Sequence, residues 1–560
     1  MGLEVVWAGS REVVLQATGE GAGRFELAAP ARLVVDGVPR DPVTRTVFYV
    51  DGLEPGSEHR VMVDGPAGTC SVAFATKPES AVLDVHAFGA RGDGVHDDTP
   101  AIQAAVAVCP AQGRVLLPAG DYAVTALFLK SAMTLELAAG AALRPCHDRD
   151  RVPVLPAGPD LAPGLALGAW EGEDMPMFAA GLTGLRCSDL VVCGRGLVDG
   201  GATADEDNWW FEPKRIRVAA RPRLLFLSQC DRVTVAGLSF DNSPSWNLHP
   251  RLCRDLDLLC LTVNGPKDSP NTDGLDPESC SGVHVAGCDF NVGDDCIAIK
   301  SGKATVPREL RPPCEDVLIE HCSMHDGHGA VVVGSEIAGG VRRVTARECV
   351  FQRTDRGLRV KTRRGRGKDS VVENVTFERL AMDRVLTPFV INSFYFCDPD
   401  GQSDYVQRRE ALPVDDRTPC VASVTFRDIT ATNAECCASH ISGLPEQPID
   451  RLTFEHVSVS FADDAEPSVP AMACGVPKLC RSGLNVSYVG ELALDDVRLC
   501  GVDGAPVAAE GVGSILGSVT VLDPGRTAPA PASQSDGSRR ADRPAASFID
   551  EQPGTGVCAS

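Results

Sequence analysis

The chain has 560 residues, 44% of them hydrophobic but only 5% aromatic, with 55 Gly and 40 Pro, so more than one domain, many turns and a core of small aliphatic side chains are expected. Fifty-three Lys and Arg against 76 Asp and Glu leave a net charge of −23, which disfavours nucleic acid as a partner. No apolar run is long enough for a spanning helix, so no membrane partner is expected either.

Read from the N-terminus, Met1 to Trp7 lacks a basic segment followed by an apolar one, which points to a chain without a leader and to the cytoplasm. The 22 cysteines then read as buried small hydrophobes rather than disulfides. Residues 1–79 read as a small β-sandwich. The short runs Glu4–Trp7, Arg11–Leu15, Thr46–Val50 and His59–Val63 are separated by Gly and Pro turns. The segment from Val50 to Val61 resembles the late-strand corner of a fibronectin type III domain.

The stretch from Asp84 to Gln103 leads into a short helix over Thr99–Cys109. From Cys230 a template recurs, with starts at Cys230, Cys253, Cys280, Cys314, Val341 and Val372, and versions at Val421, Ile449 and Val489. Each has an apolar residue at its fourth position alternating with polar ones, then a second short strand. No 3.6-residue period fits. Irregular repeats of this size with constant strand chemistry predict an all-β right-handed parallel β-helix over 80–522, with insertions looping from one face. The helix then caps the solenoid's open end, and 523–560, rich in Pro, Ala, Ser and charge, reads as a disordered tail.

Cysteines support the stacking. Cys230, Cys253, Cys280 and Cys314 hold the first template position and Cys288, Cys322 and Cys349 the ninth, so each set forms a ladder. Zinc is the competing reading, but no CxxC pair has zinc spacing. Eight of the sixteen residues from Arg353 to Lys368 are basic, a local anion site or else a solvated basic loop.

Four motifs carry chemistry: Asn271-Thr272-Asp273, Gly293-Asp294-Asp295, Gly327-His328-Gly329 and Arg359-Val360-Lys361. Asp273 and Asp294 are 21 residues apart, Asp295 and His328 33, and His328 and Arg359 31. These spacings approximate one coil, so the motifs can meet on one face. Paired carboxylates flanking a cleft are what glycosidic cleavage needs. Arg359 and Lys361 share a strand face, where one forks onto a carboxylate and the other adds a point charge. Asp294 and Asp295 would face opposite sides of a regular strand, so the backbone must depart from strand geometry there, and Gly293 eases that departure. Taken singly, an Asp-Asp pair is more often a loop or cap, and a lone His more often structural.

In order and spacing these motifs, with the segment GARGDGVHDDTPAIQ from Gly89 to Gln103 and the segment from Gly194 to Gly201, resemble the polygalacturonases of glycoside hydrolase family 28 over roughly residues 80–500. The resemblance implies hydrolysis of α-1,4 galacturonosyl bonds with inversion. It makes Asp294 the general acid, Asp273 and Asp295 the groups that hold and deprotonate water, His328 a tuner of the acid, and Asn271, Arg359 and Lys361 substrate-binding. It implies no cofactor and no metal, and a galacturonan or oligogalacturonide partner. A calcium-dependent pectate lyase and a non-catalytic carbohydrate-binding β-helix are the alternatives. Attack from a chain end is expected, because Cys146–Arg217 and Phe394–Pro419 exceed what the coils need and offer Trp209, Trp210, Tyr395 and Tyr405 as flat surfaces for sugar rings.

Overall fold

The computed structural model describes residues 1–157, 166–213 and 220–523. The expected tail and parts of the Cys146–Arg217 insertion lie outside them.

Two antiparallel sheets open the chain. Gly2–Ala8, Val13–Thr18 and Val47–Val50 form one, and Val38–Arg45, Glu26–Val35, Glu58–Gly65 and Gly68–Ala75 the other. Side chains alternate across a strand, so Val13 and Leu15 fill the space between the sheets with Leu33, Val35, Phe48, Val61 and Val63. Val14, Val47 and Tyr49 face the other way and pack on Cys193, Ala236, Leu259, Cys260 and Ala286 of the solenoid. The close approach needs bare backbone on the solenoid: a Cβ on Gly237 would sit 2.9 Å from the Tyr49 ring, and one on Gly287 2.8 Å from Val47.

From Val82 the chain winds into a right-handed parallel β-helix. One ladder of longer strands stacks in register, as in the column Val283, Val317, Val344, Val375. A second consists of three-residue strands such as Thr262–Asn264, Asp289–Asn291 and Ser323–His325. The bend between them is one residue with left-handed backbone: Gly237, Cys260, Gly287, His321, Glu348 and Arg379 in successive coils. This is the eighth position of the sequence template. The ninth-position cysteines follow this bend, whereas Cys230 and Cys253 stand just before the first-ladder strands: the Cys187 and Cys230 N–H groups each donate to the Sγ of the next coil's cysteine at 3.4 Å, and every described cysteine is a free thiol.

The third ladder carries the site. Leu127–Leu129, Leu182–Leu185, Leu225–Ser228 and Leu248–Arg251 pair in parallel, and seven strands follow from Asp295–Ile299 through Gly329–Val333 and Arg356–Lys361 to Val507–Glu510. Between the two groups, Leu275–Glu278 joins through isolated bridges to Leu248, Arg251, Ile297 and Lys300, since Pro277 has no N–H to give. Inward residues Ile297, Val331, Leu358 and Phe389 join the main core. The helix, Thr99–Val108, buries Ala101, Ile102, Ala105 and Val106 against the first coils and ends one residue earlier than expected.

Candidate active site

The motif side chains converge where the loops between second and third ladders enter the third. The nearest carboxylate oxygens of Asp273, Asp294 and Asp295 lie within 4.8 Å of one another. Asp294 precedes the strand and Asp295 is its first residue, which is how neighbours in sequence both reach the cleft. Gly293 has no left-handed backbone. Its role is closeness: a Cβ there would lie 2.4 Å from Ser269, and its N–H donates to Thr272 Oγ1 at 3.2 Å.

The three acids sit in different surroundings. Asp295 is 1% exposed and is met by Lys361 Nζ at 2.5 Å and Arg359 Nη1 at 3.5 Å. Burial opposes its charge, but Lys361 and Arg359 hold it below the usual carboxylate range. Asp273 is 4% exposed; burial first, then Asp276 and Asp294, pushes it well above that range. Asp294 is the most open, its side chain 23% exposed, and its Oδ1 lies 3.2 Å from Nδ1 of half-exposed His328. That hydrogen bond, against burial, raises His328. Asn271 is held by Arg221: its Oδ1 accepts from Arg221 Nη2 at 2.8 Å, and Arg221 also donates to the carbonyls of Pro244 and Pro270.

The trio is also the group of described side chains close enough to hold a cation. Lys361 and Arg359 already neutralise Asp295, and Lys300 stands 4.0 Å from Asp273, so an ion would compete with built-in ammonium and guanidinium groups. The oxygens are closer than the roughly 6.5–9.5 Å between carboxyls expected of an inverting pair. Spacing alone therefore does not select inversion.

Residues 167–474, more than half of the chain, match the family Glycosyl hydrolases family 28. The chain belongs to this family. A shorter stretch, 82–136, matches "Rhamnogalacturonase A/epimerase, pectate lyase-like". The protein named "Probable polygalacturonase" in Vitis vinifera is 28% identical over 388 residues, covering 68% of this chain and 74% of that one. The exo-poly-alpha-D-galacturonosidase of Dickeya chrysanthemi is 25% identical over 430 residues, covering 69% of each. Among solved structures, the family 28 exopolygalacturonase of Yersinia enterocolitica superposes with a TM-score of 0.68 at 19% identity, covering 94% of this chain and 99% of that one. It shares the fold of this family 28 hydrolase.

Several expectations change. Arg359 and Lys361 both pair with Asp295, a partner not foreseen from the sequence. The basic stretch is not one open anion site. The buried Arg363 and Arg366 pair with Asp398 and the buried Arg364 with Glu446, whereas the outer Arg353 and Lys368 are solvated and pair with Asp326 and Asp416. Trp209 is 2% exposed among Val152, Phe178 and Ala202, and Tyr395 is 9% exposed with Lys361 Nζ 5.5 Å from its ring centre. Neither is a free platform. Half-buried Trp210 does line a cavity of about 590 Å³ with Thr203, Asn242, Asp268 and Pro270.

Sequence reasoning missed Asp276, Lys300 and Glu336. All three are buried: Lys300 stands 4.0 Å from Asp273, and Asp276 and Glu336 pair with Lys300. Asp276 and Lys300 lie close to the motifs, but strand parity could not assign them to the cleft without the register. Gly329 is set by packing: a Cβ there would meet Val332 at 2.4 Å and Asp295 Oδ1 at 3.0 Å. Gly329→Ala is expected to fold but displace Asp295, lowering turnover by roughly 10–10²-fold, as steady-state kinetics beside a melting curve will report.

Proposed function

We propose that this glycoside hydrolase cleaves α-1,4 galacturonosyl bonds in polygalacturonate or oligogalacturonides, with inversion and from a chain end. The observation that carries the reading is the trio of carboxylates in three different surroundings: Asp295 between two cations, Asp273 buried among other acids, and Asp294 open beside His328. Asp295, kept anionic by two cations, orients water. Asp273 takes the proton from that water. Asp294, open to the cleft and paired with no Lys or Arg among the described residues, gives a proton to the leaving oxygen. His328 borders the acid and steadies its charge after transfer.

Enclosure of the cleft supports chain-end attack. The hairpin Ala169–Asp174 is fixed by Arg251 to Asp174 at 2.6 Å and by Trp170 stacking on Trp246 at 4.7 Å. Beyond Arg359, Met472 covers the third ladder: its Sδ lies 3.0 Å from Arg359 Nη2 and its carbonyl 3.2 Å from Asn392 Nδ2. Tyr395 closes the flank beside Lys361, and Asp398 is held against Arg363. An uninterrupted polymer would have to cross these segments.

Digests of polygalacturonate followed over time test all of this. Mono- or digalacturonate should accumulate early while viscosity falls slowly, and proton NMR should record the inverted anomer first. A rapid viscosity drop with mid-length oligomers rejects chain-end attack. Unsaturated products, or loss of activity with a chelator, favour the lyase.

A further inference from the structure

Lys300 lies at the meeting point of three buried acids, Asp273 and Asp276 from the coil before its own and Glu336 from the coil after it. Its Nζ is 3.1 Å from Glu336 Oε2, 3.4 Å from Asp276 Oδ1 and 4.0 Å from Asp273 Oδ2, and the Trp246 ring closes another side at 4.7 Å to its centre. It is 4% exposed, so no bulk water shares its charge. Asp276 is fully buried and neither of its oxygens has an aligned hydrogen bond; Lys300 is the cation at ion-pair distance from it. Such a cluster survives burial only because its charges oppose one another.

We infer that Lys300 is a positioning residue for hydrolysis: its ammonium, shared with Asp276 and Glu336, opposes burial at Asp273 and draws it toward the ionised form in which it can accept a proton from water. The inference rests on the reading of Asp273 as base. The need for such a device is local. Asp273 is buried and faces Asp276, Asp294 and Asp295, with Lys300 the nearest cation and Arg221 farther off. Everything but the cations favours a neutral acid there, and a neutral acid cannot take a proton. Asp276 in turn faces Lys300, Asp273, Asp295, Glu336 and Arg223, and burial lifts it to about 7 in spite of Lys300. Asp273 and Asp276 therefore titrate as one unit. Glu336 differs: burial opposes its charge, but Lys300, Arg366, Lys361 and Lys303 hold it below the carboxylate range. It is the fixed anion that anchors Lys300.

Opposite substitutions should move the same titration in opposite directions. Activity needs ionised Asp273, so it is lost as pH falls through the pair's apparent pKa. Lys300→Met removes the cation and should shift the acid limb of kcat/KM upward by roughly one unit or more. Asp276→Asn removes the coupled acid and should shift it downward, and Lys300→Arg should restore it toward the wild-type position. The profiles are measured on one short oligogalacturonide, with melting curves to monitor folding. A limb that stays put in Lys300→Met, or moves the same way in both variants, overturns the inference. If Lys300→Met does not fold, Asp276→Asn carries the test, and a limb that stays or rises overturns it. Asp294→Asn is run alongside: full activity there means the reading of the trio has failed, whereas an inactive Asp294→Asn with unmoved limbs means only the role of Lys300 has failed.

Discussion

Asp294→Asn is expected to lose on the order of 10²–10⁴-fold or more in turnover while keeping substrate binding and fold. An amide has nearly the shape of the carboxyl and cannot protonate a leaving oxygen. Asp294 Oδ1 lies 3.0 Å from the Asp295 N–H and 3.2 Å from His328 Nδ1, and an amide oxygen can occupy the same place. The side chain is 23% exposed and its ion-pair partner is the half-exposed His328, so its removal strands no buried charge. Asp295→Asn is the instructive contrast, because it leaves Lys361 and Arg359 buried without their anion and should cost stability as well as rate. Measured together, kcat, inhibitor affinity and melting temperature separate the two. An Asp294→Asn enzyme with near-normal turnover rejects its assignment as the acid.

The parts of the molecule legible in its sequence are those set by local pattern. Alternation and the recurring template marked the coils, and the Cys ladders fall where positions one and nine of that template place them. The bend between the first two ladders was hidden because it is a backbone property. Only Gly237 and Gly287 of the six corner residues advertise left-handed backbone; Cys260, His321, Glu348 and Arg379 adopt it at a strain offset by stacking. The site followed the same division. Asp273, Asp294, Asp295 and His328 were found by motif and are brought together, but the partners that set their charge depend on register. Gly329 lets Asp295 reach Lys361 and Arg359 two coils away, and nothing in the sequence of either strand announces that contact. Docking of the first sheet onto the solenoid was equally hidden, since Val14 and Tyr49 read as ordinary strand residues until their partners, more than a hundred residues distant, are known.

That docking surface holds the largest expected loss of stability. Arg114 is 1% exposed and bonds Glu12 at 3.0 Å, Glu79 at 2.6 Å and Glu136 at 2.7 Å, with Ser10 Oγ at 2.8 Å. Glu12 and Ser10 belong to the sandwich, Glu136 to the solenoid, and Glu79 to the connection between them, so one guanidinium joins all three. Glu12 already shows the tension: burial pushes it up despite Arg114. Burial opposes the charge of Glu79 too, yet hydrogen bonds from Arg114 and Arg11 hold it below the usual range. Arg114→Met would leave Glu12 buried without its cation and Glu79 with Arg11 alone, and is expected to cost about 3–5 kcal/mol. The sign of its pH dependence follows. Glu79 keeps its bonds from Arg11 and Ser10, but Glu12, already raised, loses the cation that opposes burial, so the penalty is fullest at neutral pH and shrinks as pH falls and Glu12 protonates. Glu12→Leu added to Arg114→Met should recover part of the loss by removing one stranded acid. Melting curves at two pH values, with limited proteolysis at the Thr76–Ala81 connection, check these outcomes. A variant melting like the wild type at neutral pH would mean that Arg114 contributes no more than an exposed ion pair.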